Sequence, residues 1–499
     1  MNHQKRWWMT ISVIICLVVS LLVGGKAFSS QERVLKIATD STFPPFEFQG
    51  NGSQLQGFSI DLMQAVLMAS EAINDNINLK LQWQTLPFDG IIPALQAKSI
   101  DAAISSITIT PERAKTVDFS RPYFKAGLAI AVAKNNQDIQ DIKTLENKNI
   151  AVQIGTTGAQ LAKKIPGAKV RSFDSTPLAL QELKNGNVDA VINDAPVTLY
   201  AINTGNLQNI KIIKTLITEE FYGIATPKKS PYLDLINQGI SKILENGKYQ
   251  QIYDKWFKDI SPTLPETLPF IQEKTPNTSA VIVILSSLPS LFQGVLVTLK
   301  LALISIFFGL ITGSLIGIFR LSAIKPVGLL ARIYIDFFRG TPLLVQLFMI
   351  YFGIPAICQQ LNFTLSFNPL LAGIIALTLN SAAYIGEIVR AGIQSIDKGQ
   401  TEAAKSLGLH PIQIMQYIIF PQALRRMIPP LGNEFISLLK DTSLVAVIGY
   451  EELFRKGQLI VADNYRAFEI YASIAVIYLF LTIIFSQLFS KLEKWMNPV

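Results

Sequence analysis

The order of apolar and polar positions divides the chain into four stretches. After Lys5 and Arg6, an apolar run extends from about Met9 to Val23. A charged start before an apolar run is the pattern of a secretory signal. The run is long for a signal core and short for a spanning helix, which needs about 20 residues. Residues 1–30 are therefore expected to form a signal peptide or an N-terminal membrane anchor, and either one carries the next stretch across a membrane. In residues 31–260, short β-type runs alternate with helix-length segments. Val34–Thr39, Ala102–Ser106, Leu128–Ala133, Ile150–Ile154 and Ala190–Asn193 read as strands, and Ile60–Ala69 and Ser230–Glu245 as helices. Such alternation predicts parallel sheets with helices on their faces. Residues 261–280 hold Pro262, Pro265, Pro269 and Pro276 without an apolar period, and read as a linker. From residue 281 to 499 long apolar segments dominate. Spanning helices are expected near Leu288–Phe319, Val327–Ile354, Pro369–Val389, Met427–Ile448 and Phe468–Leu488. Arg339-Gly340-Thr341-Pro342 interrupts the second and is expected to split it.

Composition sharpens this division. The 499 residues are 49% hydrophobic and only 16% charged, with a net charge of +8. Mean hydropathy is +0.34. Residues 31–260 are nearly balanced in charge, so the excess lies with the apolar stretches. Basic residues beside apolar helices mark cytoplasmic loops. No Lys/Arg run with interleaved aromatics offers a nucleic-acid surface. If residues 31–260 lie outside, then Arg320, Lys325, Arg332, Arg390, Lys398, Lys405, Arg425, Arg426, Lys491 and Lys494 fall inside. Arg455, Lys456 and Arg466 fall outside, against the rule. The two cysteines, Cys16 and Cys358, show neither disulfide nor zinc spacing, and two histidines leave little material for histidine catalysis.

Three polar segments stand out in the α/β region: Asp40–Phe46 after a strand, Ser105–Arg113 with Val117–Tyr123 close behind, and Gln153–Gly158 with Asn193-Asp194 further on. A free amino acid presents a carboxylate, an ammonium and a side chain. Arg113 supplies a bidentate fork for the carboxylate. Gly155-Thr156-Thr157, opening a helix after a strand, turns amides and a hydroxyl toward an anion. Asp194 at a strand end takes the ammonium. Phe43 and Phe88 offer apolar walls, with cation–π attraction for a cationic side chain, and Asp40 faces that side chain. Taken singly, each of these residues reads as surface charge, cap, turn or core. Their order and spacing make them a set.

The run Ser106-Ile107-Thr108-Ile109-Thr110-Pro111-Glu112-Arg113 through Val117-Asp118-Phe119-Ser120 and Pro122-Tyr123 resembles the polar amino-acid family of periplasmic substrate-binding proteins, over about Arg33 to Ile260. The resemblance implies an α/β two-lobed fold that closes on its ligand. It implies Arg113 and Thr157 as carboxylate ligands, Asp194 as ammonium ligand, and Ser105, Ser106 and Thr108 as cleft donors. Phe43 and Phe88 then sandwich the side chain, and Asp40 and Gln153 read its far end. Ser59 stands where this family commonly has Asp.

A second constellation lies between the third and fourth apolar segments: Glu402-Ala403-Ala404-Lys405-Ser406-Leu407-Gly408-Leu409, then Ile419-Phe420-Pro421. It reads as a short amphipathic helix, with Ala403, Ala404 and Gly408 permitting close approach, Glu402 as a charged anchor and Gly408 as a break. It resembles the coupling loop of bacterial ABC importer permeases, with Phe420 where leucine is commoner. Arg339–Pro342, Asn380–Glu387 with Arg390, and Lys440–Leu444 fit the amino-acid branch. The resemblance, over about Leu288 to Leu492, implies an all-α transmembrane domain of about five helices. It also implies a partner ATPase dimer docked at Glu402–Gly408, and a second permease copy, identical or related. No Gly-x-x-x-x-Gly-Lys-[Ser/Thr] occurs, so this chain is expected to bind no cofactor and to leave ATP to the partner. Glu387, Lys440 and Asp441 are charges among apolar residues, and mark either function or helix-fixing ion pairs.

The sequence thus points to the binding and translocation subunit of an ATP-driven importer for polar amino acids, basic ones or glutamine, in a bacterial cytoplasmic (inner) membrane with lipid around its helices. An amino-acid-gated receptor or channel is the alternative, and an enzyme on the same bilobed fold a third reading. The domain is continuous rather than split around a pore, no Thr-Val-Gly-Tyr-Gly filter appears, and only the importer needs a coupling loop. A short flexible tether would hold the domain at about millimolar effective concentration over its permease.

Overall fold

The computed structural model describes residues 33–496 apart from 51, 53, 74–78, 205–206, 215, 271–278, 362–364 and 366. The expected signal or anchor, residues 1–30, and Cys16 lie outside the described residues.

The first lobe is built on a five-stranded sheet in the order Leu79–Thr85, Arg33–Thr39, Ala102–Ala103, Ala225–Pro227, Val117–Phe119. The second has the order Lys169–Phe173, Asn149–Gln153, Ala190–Asp194, Leu128–Ala133, Ile210–Lys214. Leu128–Ala133 and residues 190–192 of Ala190–Asp194 are continuous apolar runs because both faces of these strands are buried. The sheets are mixed, which corrects the expectation of parallel sheets. Leu128–Ala133 runs antiparallel to Ala190–Asp194, and Ala225–Pro227 antiparallel to Val117–Phe119. The reason is the path of the chain. It crosses between the lobes on Phe124–Ala126 and returns on the antiparallel strand Glu220–Tyr222. The strands after each crossing enter their sheets against the prevailing direction. These two crossings form the hinge.

The chain does not leave the first lobe freely at Ser261. Leu264 is buried among first-lobe residues, and Leu268 and Phe270 pack against it as well. Helix Ala280–Arg320 comes next. Its 41 residues span about 60 Å, twice the hydrocarbon core of a bilayer. Helices lie at all five expected positions. Ala280–Arg320, Pro369–Gln394 and Ala467–Met496 are each long and apolar enough to cross a membrane. The interrupted segment bends by 105° between Lys325–Gly340 and Leu343–Cys358, where Thr341-Pro342 cannot continue the helix. Helix Phe420–Asp441 is more polar, carrying Arg425, Arg426, Glu434, Lys440 and Asp441. Gly313 and Gly317 of the first helix face the backbone carbonyls of Ala382 and Gly386, an approach that no larger side chain permits. One further helix, Leu453–Asn464, lies in a stretch expected to be an outer loop.

Candidate functional site

The strand ends of both lobes converge on one cavity of about 300 Å³. Asp40, Phe43, Phe88, Ser105, Ser106, Thr108, Arg113, Gln153, Thr157 and Asp194 all line it, with Thr156 added. Local structure explains how they arrive there. Gly155 adopts φ +76°, a left-handed turn that lets the chain leave its strand sharply. Thr156 caps helix Thr157–Lys163 by accepting from the Ala159 amide. Thr110 does the same for the Arg113 amide, fixing the short turn that carries the guanidinium.

Arg113 is only 1% exposed. Its Nη1 donates to the Thr108 carbonyl at 2.8 Å and its Nη2 to the Gly155 carbonyl, in the other lobe, at 2.8 Å. Its Nε is buried without a partner, and the guanidinium lies 5.4 Å from the Phe88 ring centre. A buried cation with a free donor beside a cavity suits a carboxylate ligand. At the far end, Asp40 accepts from Thr42 and, across the cleft, from Gln153 Nε2 at 2.9 Å. Burial raises the Asp40 carboxyl above its usual range. Burial, helped by the nearby Glu220 charge, pushes Asp194 up to about 7. The Tyr222 hydroxyl donates to it.

Glu220 is the residue that sequence reasoning missed. It sits on the returning hinge strand, and its Oε2 accepts from Thr108 of the first lobe and Thr157 of the second, both at 2.9 Å. One carboxylate thus ties both lobes to the hinge. The signal was available in Glu219-Glu220-Phe221-Tyr222, an acidic pair opening an aromatic strand. Ser59 is buried outside the cavity.

In the second constellation, Asp397 caps helix Lys398–Ser406 and Gly408 ends it at φ +80°. Glu402, Ala403 and Gly408 are exposed. Ala404 is not: it packs among Val389, Ile396, Ile414 and Ala423 of the same chain. Neighbouring helix positions point about 100° apart, so Ala403 can face a partner while Ala404 holds the helix down, a correction to its assignment as a contact residue. Leu407 and Ile412 are 82% and 70% exposed beside this face. Glu387 forms an ion pair with Arg390 one turn on, as a helix-fixing pair would.

The binding domain is seated on the permease. Lys163 pairs with Asp463 at 2.8 Å. Tyr351 donates to Glu182 Oε2 at 2.5 Å, beside the Arg171–Glu182 ion pair. Arg455 pairs with Asp174.

A hinged two-lobed cleft on a helical membrane domain defines the class of solute-capturing permeases. Residues 35–259 match the bacterial extracellular solute-binding proteins, family 3, and residues 309–498 match the binding-protein-dependent transport system inner membrane component. The probable amino-acid permease protein YxeN of Bacillus subtilis (strain 168) is 40% identical over 43% of this chain and 94% of its own length. The glutamine transport system permease protein GlnP of Escherichia coli (strain K12) is 41% identical over 42% of this chain and 94% of its own. A solved ancestral arginine-binding protein bound to arginine shares 42% identity over 45% of this chain and 98% of its own, at a TM-score of 0.43. The chain belongs to the binding-protein-dependent amino-acid permeases of the inner membrane, with a family 3 solute-binding domain fused ahead of the permease.

Proposed function

We propose that this chain captures polar amino acids outside the cytoplasmic membrane and passes them through its own helices, as one subunit of an ATP-driven importer. The observation that carries the reading is the cavity itself: it is lined by one buried guanidinium with a free Nε, by Asp40 and Asp194, and by Phe43 and Phe88, and Glu220 lies behind it, bonded to the lining residues Thr108 and Thr157. Arg113 takes the ligand carboxylate and Asp194 the ammonium, while Asp40 and Gln153 read the side chain. Two lining carboxylates against one cation, with Glu220 behind them, favour a cationic or amide side chain over an acidic one, which would bring an unpaired charge beside Asp40. Basic amino acids and glutamine are therefore the proposed substrates. The 41% identity to a permease named for glutamine transport supports the amide.

The exposed face of Glu402, Ala403 and Gly408, with Leu407 and Ile412, is the proposed seat of an ATPase dimer, which uses the ATP. A second permease copy completes the pathway, and lipid covers the remaining apolar faces. The test is calorimetric titration of the full chain in lipid nanodiscs with arginine, lysine, histidine, glutamine and glutamate, beside an Arg113→Ala chain. Tight binding of arginine, lysine or glutamine, weakened at least about a hundredfold by Arg113→Ala, is expected. Preference for glutamate would overturn the substrate class, and binding of none would overturn the site.

A further inference from the structure

Helix Leu453–Asn464 lies across the seam between the two lobes. Its Ala462 and the nearby Tyr465 line a second cavity, of about 260 Å³, with Phe88, Asp89, Ile91, Ile92 and Ile107 of the first lobe and Gly155 of the second. A Cβ built on Gly155 lies 3.5 Å from the Asp89 Cβ and 3.7 Å from the Ala462 Cβ. First lobe, second lobe and permease therefore meet at one point, directly behind Phe88, which lines the ligand cavity, and beside the Gly155 turn, whose carbonyl accepts from Arg113.

Arg455, in the first turn of this helix, is fully buried. It donates to the Asp174 carboxylate and to the Ser172 carbonyl, both in the second lobe. Asp89 of the first lobe sits within the fields of both Asp174 and Arg455 and is pushed up to about 6, by burial first and then by Asp174, with Arg455 opposing. Closing the cleft thus brings two carboxylates of opposite lobes together, and the permease supplies the cation that offsets them. The helix is held rigidly for this purpose. Glu452 caps it through the Phe454 and Arg455 amides, Thr298 of the first membrane helix accepts from the Leu453 amide at 3.1 Å, and Tyr478 of the last donates to Glu452 at 3.2 Å.

We propose that Arg455 is a closure gauge: a permease side chain that favours the closed cleft over the open one, so that docking and ligand capture strengthen each other. Opening about the hinge carries Asp174 and Gly155 away from Asp89, and one rigid helix then fits only one lobe. By thermodynamic reciprocity, whatever factor the dock adds to closure, closure adds to docking. This rests on reading the cleft as an amino-acid site. The hydrogen-bond partners of Arg455 are Glu452, Asp174, Gln458 and Ser172, none of which lines the ligand cavity, so it acts as a positioning residue.

The test uses full-length chains in nanodiscs, with Cys16 and Cys358 replaced by Ser and with Lys163→Cys and Asp463→Cys reporting the docked state through their rate of disulfide formation. L-Arginine and L-glutamine are the probes. The ligand is expected to raise that rate several-fold. Arg455→Ala is expected to abolish the increase and to weaken ligand binding by about five- to fiftyfold, within the usual range of coupling. Asp174→Asn, at a side chain 33% exposed, should give the same loss even if the buried substitution harms folding. The double variant should be no worse than either single one. Arg455→Lys, keeping the charge and losing the fork, should restore part of both readouts. Ligand affinity and ligand-stimulated cross-linking within twofold of wild type in Arg455→Ala and Asp174→Asn would overturn the proposal. If the wild-type chain binds neither probe, the functional reading fails, and the ligand-free cross-linking rate decides the gauge. A several-fold drop in Arg455→Ala supports it, and no change overturns it.

Discussion

The ligand cleft and the coupling loop are built on opposite principles. In the cleft, Asp40, Arg113 and Asp194 are buried, and each has a partner in the same chain: Gln153 for Asp40, the Gly155 carbonyl for Arg113, Tyr222 for Asp194. In the loop, Glu402, Ala403 and Gly408 stand in the open, and Leu407 and Ile412 are among the more exposed apolar side chains. Buried polar groups need partners, so the cleft is a set that a small molecule completes, the free Arg113 Nε being its open place. Exposed apolar side chains flanking the break at Gly408 are half of a set, whose other half belongs to another protein. One chain therefore carries a receptor that works alone beside a joint that does not.

The comparison breaks most visibly through Asp194. Asp194→Asn removes the proposed ammonium ligand and should weaken amino-acid binding by about a hundredfold or more. Calorimetry on the full chain reads this, and a change under threefold would shift the ammonium to Glu220. Next comes Glu402→Arg, which reverses the charge on the open face. Cellular uptake should fall to about a tenth or less, while calorimetric affinity stays within twofold, since nothing in the cleft moves. A parallel fall in affinity would show that the two regions are not separable.

Proton dependence sharpens the same contrast. In the empty cleft Asp194 is raised to about 7, and a bound ammonium favours its ionised form. Below pH 7 ligand must therefore displace a proton, and affinity should drop by about tenfold per unit down to pH 6, then level off above 7. A flat profile would place the titrating group elsewhere. The smallest effect is expected from Glu220→Gln. Removing the negative charge behind Thr108 and Thr157 should shift preference from arginine toward glutamine by a few-fold, measured by competition. An unchanged ratio would confine Glu220 to a role in the hinge.

What could be seen in the sequence tracks the range of the interactions involved. Arg113, Thr157 and Asp194 stand at strand ends and helix starts, and local pattern alone places such positions on one rim. The bend at Thr341-Pro342 was legible because proline acts on its own backbone. Helix Leu453–Asn464 was not. It is short, and Arg455 looked like a violation of charge topology. Its partner, Asp174, is 281 residues away in sequence, and no periodicity encodes a contact between separate domains. Lys456 and Arg466 have nearer partners, Glu451 and Glu469. The mixed sheets escaped for a related reason, since strand direction depends on where the chain re-enters a lobe. Ala404 was misplaced because two adjacent alanines look alike until the helix phase is known.

The packing of Leu264, Leu268 and Phe270 on the first lobe leaves about ten residues before Ala280, a reach of at most ~35 Å. In genetic terms, this makes the cleft a cis-acting element. A lesion in it stays with its own permease, because a freely secreted copy of the intact lobes must compete with a defective one already tied over the seat. Duplicating the gene adds binding domains and permeases in equal number, and a change of diet is met by altering one reading frame rather than two.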